Sequence, residues 1–396
     1  MVLERSGLGA DSERGPGSLM LKVGLNMLFL GEEAGGVGRY ATEIAGALAE
    51  RGDVELTLFT SRDEPLDLRL QPWARRARFT QLPVSRSSRV GYLAATFGAV
   101  PALAAARRFD VLHSPANVGP VFCPGVACVI TVHDMIWMRA GEQWDDAQAR
   151  EAMRRSSQMT VPRARRVITD SESSAEDICS MLGVERARID VAPLGVRIDP
   201  GAAATPEAEL RERLSLGQGP VILCVAQKRP YKRQDTLIRA LASLPAGTQL
   251  VLPGAATEFE GELRALASDL GVAAQVTFPD WVSEADLEGL YRLSSCFALP
   301  SELEGFGLPV LEAMARGLPV ACSDRTSLPE VAGQAALLFD PDDQAAVTRS
   351  LAELIEDQAL RTRLIAAGLE RAEQFTWACT AEATVASYRK ALEGNG

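Results

Sequence analysis

Lysine and histidine are scarce in this chain. Of its 41 lysines and arginines only Lys22, Lys228, Lys232 and Lys390 are lysine, and His113 and His133 are the only histidines. Paired cysteines are missing as well. The seven cysteines, Cys123, Cys128, Cys179, Cys224, Cys296, Cys322 and Cys379, are odd in number and never two residues apart. That pattern excludes a zinc or redox pair and points to a reducing cytoplasm with no structural metal.

The first residues carry no apolar run that could form a signal-peptide core. Residues 1–19, rich in glycine, serine and charge, read as a disordered leader ahead of a start at Met20. The longest uncharged stretch, 90–106, contains Pro101 and many small residues, and so reads as a buried or interfacial helix rather than a membrane span. A net charge of −11 argues against nucleic acid as a partner. One block departs from this balance: Arg69, Arg75, Arg76, Arg78, Arg86, Arg89, Arg107 and Arg108 follow one another with no acid between them. Two readings stand: these arginines scatter over several faces, or they dock the first domain on an anionic membrane surface.

A chain of 396 residues suits two domains, and short β-branched runs alternate with helical patterns through most of it. The expected fold class is α/β, with two Rossmann-like doubly wound domains facing a central cleft. Strands are expected at 21–27, 54–59, 111–113, 126–132 and 166–169, with a helix at 37–51 whose inner face carries Val37, Ala41, Ile44, Ala45 and Leu48. An Ala/Pro/Glu-rich passage follows Pro193-Leu194-Gly195-Val196, placing the boundary so that the first domain spans 20–196 and the second 197–375. Second-domain strands are expected at 221–226, 249–252, 276–278, 296–299, 320–322 and 336–339. Ligands then belong at the carboxyl ends of both sheets.

The most informative segment runs from Ser301 through Glu304, Gly305, Phe306, Gly307, Leu308 and Pro309 to Glu312. Pro309 suits a helix start and Gly317 a helix end, so amides near Gly305 to Leu308 are offered to an anion such as a diphosphate. Glu304 lies in the loop and Glu312 among apolar neighbours, where hydroxyls of a sugar or ribose are suitable partners. A second loop, Gln227-Lys228-Arg229-Pro230-Tyr231-Lys232-Arg233, holds two of the four lysines directly after a buried strand. An ammonium there suits the β-phosphate of a leaving nucleotide.

In the first half, Gly35-Gly36-Val37-Gly38-Arg39-Tyr40 opens a helix, and Gly36 and Gly38 let backbone come close to a ligand. With Ala41 the spacing also fits a dinucleotide fingerprint, but the second strand ends at Thr60-Ser61 with no acid for a ribose. His133 ends a strand and is expected to face the cleft. Thr169-Asp170-Ser171-Glu172-Ser173 also ends one, and Ser173 with Glu176 reads as a capping box. Asp340-Pro341-Asp342 is similar to an acidic metal triplet but reads as a turn. A nicotinamide enzyme and a non-catalytic nucleotide-sugar-binding subunit remain as alternatives.

Together these motifs, in this order, resemble glycosyltransferase family 4, retaining enzymes of GT-B fold. The resemblance covers nearly all of 22–388, including Ser327-Leu328-Pro329-Glu330-Val331. It implies a hexosyltransferase with no cofactor, taking a nucleotide-diphosphate sugar as donor and a glycan, lipid-linked or small-molecule acceptor. By the same resemblance Glu304 and His133 contact the donor sugar, Glu312 the ribose and Lys232 the diphosphate, while Gly36 and Gly38 line the phosphates or the acceptor. The last segment, 376–396, resembles the helix that returns to the first domain. One position departs: Gln227 stands where the family often has an arginine, so a second positive charge must come from Lys228 or Arg229 or be absent.

Overall fold

A computed structural model describes residues 20–31, 35–141, 147–197, 199 and 201–393, with the side chain of Arg89 left out. The leader expected at 1–19 lies outside the described residues. Seven strands form the first sheet: β1 (Leu21–Asn26), β2 (Val54–Thr60), β3 (Arg78–Gln81), β4 (Val111–Ser114), β5 (Ala127–Thr131), β6 (Arg166–Thr169) and β7 (Ile189–Val191). All pair in parallel, in the order β3-β2-β1-β4-β5-β6-β7. The second sheet contains β8 (Val221–Leu223), β9 (Gln249–Val251), β10 (Val276–Thr277), β11 (Cys296–Leu299), β12 (Val320–Ser323) and β13 (Ala336–Phe339). Its order, β10-β9-β8-β11-β12-β13, is parallel throughout and repeats the same winding.

The winding reverses between β1 and β4 in one sheet and between β8 and β11 in the other. Chains leaving neighbouring strands there turn to opposite faces of the sheet, which opens a crevice at the carboxyl ends. The inner strands are apolar on both sides because helices cover both faces; β4, β5, β8, β11 and β12 are buried at every residue.

The helix Gly35–Ala49 starts two residues earlier than its apolar pattern suggests. Ala41, Ile44, Ala45 and Leu48 are buried on its inner face, but Val37 is exposed in the first turn, which leans over the cleft. Stretch 90–106 becomes two short helices, Arg89–Ala94 and Val100–Ala106, joined by a π-helical turn. Ala95, Val100 and Ala104 pack against Leu28, Phe59, Leu82, Phe109 and Leu112. Acids from outside the arginine block reach into it: Arg69 pairs with Glu64 at 2.6 Å and Arg78 with Glu55 at 2.5 Å, while Arg75 and Arg76 stay exposed.

The helix Trp377–Glu393 lies on the first sheet. Tyr388 bonds His113 at 2.7 Å, Arg389 pairs with Asp53 at 2.7 Å and Lys390 with Asp190 at 2.7 Å. Where the chain crosses between sheets, the Val196 amide donates to the Phe375 carbonyl at 3.0 Å. Gly195 fits against the backbone of Thr376 and Trp377, a contact that any side chain at 195 would block.

Candidate active site

Two loops flank the β8/β11 crevice and meet in an ion pair. After β8 the chain makes the turn Pro230–Lys232, and Arg233, at φ 52°, reverses it into the helix Gln234–Leu241. After β11 it makes the Glu304 loop. A backbone bond from Glu302 to the Tyr231 carbonyl, 2.8 Å, ties the loops together. Lys232 Nζ then donates to Glu304 Oε1 at 2.7 Å, and Ser301 Oγ donates to the same oxygen at 2.8 Å. The two charged side chains are only 14% and 10% exposed. Burial opposes the ammonium, but the Glu304 carboxylate outweighs it and raises the Lys232 pKa.

Gly307, at φ 100°, delivers the chain into the helix Leu308–Ala315 with no side-chain cap on its first amides. A Cβ on Gly305 would stand 2.7 Å from Asp134 Cβ and 3.1 Å from the His133 carbonyl, so this glycine allows the two domains to touch. Ser171 Oγ and Ser174 Oγ of the first domain donate to the Gly305 carbonyl at 2.7 and 3.1 Å. Phe306 is buried and meets Phe375 edge to face, so its ring belongs to the core and only its backbone borders the crevice. Leu308 is half-buried at the helix start.

One turn into that helix, Glu312 accepts from Arg39 Nη1 at 2.5 Å and from the Tyr291 hydroxyl at 3.1 Å. Arg39 comes from the glycine-rich helix start of the first domain, beside exposed Gly36 and buried Gly38. The glycine-rich segment and Glu312 therefore meet across the cleft. A second bridge joins Glu330 to the start of the helix Glu172–Leu182, where its carboxylate accepts from the Glu172 and Ser173 amides, both at 2.8 Å. Ile136, Ala140, Tyr231 and Leu303 add a small apolar contact between the domains.

His133 follows β5 and is buried, its Nδ1 2.8 Å from Asp170 Oδ2 and its Nε2 3.4 Å from the Pro115 carbonyl. Burial works against its charge, yet Asp170 prevails and raises its pKa. His113 differs. It lies between the Tyr388 and Thr131 hydroxyls, and burial drives its pKa down to about 3.

Lys228 does not join the cluster. Its side chain is fully buried, with Nζ bonded to the Gly254 and Pro279 carbonyls and 3.6 Å from Glu260. Burial lowers its pKa, and a charge so enclosed has no open side to offer a phosphate. Gln227 is exposed and accepts from Arg229 at 3.0 Å. The cap at 171 also corrects the capping-box reading: Ser171, not Ser173, accepts from the Ser174 amide at 3.1 Å, because Glu172 is already helical. Asp340 and Asp342 are held by Arg325 and Arg233, at 2.7 and 2.6 Å. Among the described residues no three histidine, cysteine or acidic side chains converge as a metal site.

Arg39, Asp170, Tyr291 and Glu330 were not singled out as site residues by sequence. Arg39, Asp170 and Glu330 sit inside motifs already noted, the first in the glycine-rich segment, the second beside the capping serines and the third in Ser327-Leu328-Pro329-Glu330-Val331. Tyr291 lies on a helix of the second domain with no local signature.

Residues 34–200 match the profile "Glycosyltransferase Family 4" and residues 207–371 the profile "Glycosyl transferases group 1". A D-inositol 3-phosphate glycosyltransferase of Acidothermus cellulolyticus is 32% identical over 393 residues, covering 91% of this chain and 86% of that protein. The O-antigen chain mannosyltransferase B of Escherichia coli is 30% identical over 267 residues, 66% of this chain and 70% of that one. Among solved structures, sucrose-phosphate synthase from Thermosynechococcus elongatus superposes with a TM-score of 0.71 at 22% identity, over 95% of this chain and 100% of that chain. Anabaena HepE in complex with UDP and glucose gives 0.70 at 18% identity, over 93% and 99%. With both halves matched, two doubly wound domains and loops meeting at their switch points, this chain belongs to the group 1 glycosyltransferases and has the GT-B fold.

Proposed function

We propose that this enzyme moves a hexosyl-type sugar from a nucleotide-diphosphate donor to a glycan, lipid-linked or small-molecule acceptor, with retention of configuration and no catalytic metal. Polysaccharide or glycoconjugate biosynthesis is the setting this reading implies. The observation that carries it is the Lys232–Glu304 pair at the β8/β11 crevice. A donor there exchanges the pair's internal contact for two better ones. The Lys232 ammonium moves onto the β-phosphate and offsets the charge of the departing diphosphate. Glu304 turns to the sugar hydroxyls, and Glu312 releases Arg39 for those of the ribose. The leaving β-phosphate takes the acceptor proton on the same face. The names of similar proteins support the donor class: HepE is described with UDP and glucose, and relatives transfer sugars to an inositol phosphate or an O-antigen chain.

A thermal-shift panel of UDP-, GDP-, dTDP- and ADP-sugars, run with and without EDTA, tests this. A donor at 100 times its Kd adds about 2.7 kcal/mol, and transfer by that donor is expected to survive chelation. No stabilisation by any member would sink the donor class, and activity lost in EDTA and restored by magnesium would sink the metal-free mechanism.

We place the reaction in the cytoplasm, with peripheral contact to an anionic membrane surface where lipid-linked acceptors lie. Among the described residues no helix is long and apolar enough to cross a membrane. Leu66 and Leu70, 86% and 81% exposed, stand close in sequence to exposed Arg75 and Arg76, which supports surface contact. Flotation with anionic vesicles that weakens with salt is the expected result; equal flotation with neutral vesicles, or none, refutes it.

A further inference from the structure

The helix Gly35–Ala49 carries Arg39 and Glu43 one turn apart, and each meets a different charge outside the helix. Arg39 Nη1 donates to Glu312 of the second domain at 2.5 Å. Glu43 faces Arg197 at 3.8 Å, too far for a hydrogen bond. Arg197 directly follows Val196, whose amide bonds the Phe375 carbonyl where the chain crosses between the sheets. One helix therefore links the far side of the cleft to the crossing through two ion pairs.

The two pairs differ in strength and in freedom. Glu312 is buried and accepts a short bond, whereas the side chains of Glu43 and Arg197 are 19% and 62% exposed. Glu43 and Arg197 also line a cavity of about 370 Å³, together with Trp73 and Trp377, so their pair can part into open space without repacking the core. Residues one turn apart on a helix are neighbours, and an arginine that precedes its carboxylate makes the weaker of the two orders. Burial opposes the Arg39 charge, but Glu312 and, after it, Glu43 outweigh burial and raise the Arg39 pKa. Arg39 accordingly rests on Glu312, with Glu43 as a second acceptor in electrostatic reach.

We propose that Glu43 is a positioning residue for the donor-bound enzyme: when the ribose occupies Glu312, Glu43 receives the Arg39 guanidinium, holds it at the wall of the cleft and gives up Arg197. The inference rests on the donor reading above, which assigns Glu312 to the ribose. Without Glu43 the donor must displace Arg39 into water, and its binding bears the full loss of the Arg39–Glu312 pair. With Glu43 part of that loss is offset. Arg197 is the competitor, because its attraction for Glu43 opposes the exchange. The exchange also releases the segment after Val196 from the first helix, so donor occupancy is felt at the crossing. Glu43 touches no donor atom and acts through Arg39.

Calorimetry with UDP and GDP at low salt on Glu43→Gln and Arg197→Gln separates this role from its alternatives by sign. Glu43→Gln is expected to weaken nucleoside diphosphate binding about two- to threefold and Arg197→Gln to tighten it by a similar factor, the size of an exposed ion pair. Both effects are expected to shrink as salt is added. A direct field on the phosphates gives the reverse signs, since the first change removes a negative charge and the second a positive one. A purely structural pair moves both variants the same way or neither. Either of these patterns overturns the proposal. If Glu43→Gln does not fold, Arg197→Gln decides alone, because only the exchange predicts tighter binding on loss of a cation. Binding of no nucleoside diphosphate to the wild type refutes the donor reading and the exchange together, whereas binding with any other pair of signs refutes the exchange alone.

Discussion

Replacing Lys232 and Glu304 singly and together separates their two roles, because the roles predict opposite behaviour of the double variant. The pair is 2.7 Å long and mostly buried, so removing one member leaves a charge with little water and only Ser301 or nothing to face it. Breaking a buried pair from one side costs about 3–5 kcal/mol; the residual exposure places Lys232→Met and Glu304→Gln near the lower end, about 3 kcal/mol each. The double variant leaves no orphaned charge. It is expected to lie above the sum of the single losses by about 2 kcal/mol, the coupling typical of contacting groups. Turnover follows another rule. Each single variant is expected to lose at least about 100-fold, or about 2.7 kcal/mol of transition-state stabilisation, and the double variant recovers none of it. Urea unfolding supplies the first set of numbers and initial rates with the donor found in the panel the second. Additive stability losses would show that the pair is not coupled. Turnover within tenfold of wild type in Lys232→Met would refute its place at the leaving group.

Gly305→Ala puts a methyl group 2.7 Å from Asp134 Cβ. It is therefore expected to hold the domains apart, lowering turnover at least about tenfold with little change in unfolding; an unchanged small-angle scattering radius would refute this. Glu330→Ala removes two bonds to the Glu172 and Ser173 amides, both 2.8 Å, and leaves these first-turn donors unpaired although the Ser171 cap remains, so donor KM is expected to rise a few-fold, in line with about 1 kcal/mol. For His113, whose folded pKa is depressed to about 3, the unfolded chain takes up a proton below about 6.5 that the folded one refuses. Its stability contribution is present above that pH and lost as pH falls, so His113→Gln is expected to lose about 2 kcal/mol less than wild type between about pH 7 and 5; parallel losses would refute the assignment.

The inner strands were legible because both faces are covered, which writes an unbroken apolar run into the sequence. The two strands not anticipated, β3 and β7, are edges. Arg78–Gln81 exposes its first and last residues and carries arginine, threonine and glutamine, so its pattern resembles a loop. Ile189–Val191 is three residues long. In the site, loop positions followed from strand ends, but side-chain directions did not. Rarity drew attention to Lys228 and Lys232 equally, and nothing local distinguishes them. What buries Lys228 is a pair of carbonyls, on Gly254 and Pro279, presented by the loops after β9 and β10. Asp170 was hidden for a related reason: its neighbours Ser171 and Ser173 offered a sufficient local explanation, and its partner lies 37 residues away.

The division of charge between the domains bears on how closure and donor binding are linked. In the second domain Gln227 is neutral, Lys228 is enclosed and Lys232 is neutralised by Glu304. On the proposed donor reading a diphosphate there meets the Lys232 ammonium and the first amides of Leu308–Ala315. The first domain holds Arg39 and His133, one neutralised by Glu312 and the other by Asp170. Glu312 is the ribose partner proposed above, so a bound nucleotide frees Arg39 at the moment when more positive charge is useful beside the phosphates. Two of the contacts between the domains, Arg39 to Glu312 and Glu330 to the helix at Glu172, are thus unlike in kind. On the proposed donor reading the first gives way to the ribose, whereas the second involves no proposed donor group, and the bonds from Ser171 and Ser174 to the Gly305 carbonyl likewise stand apart from the exchange.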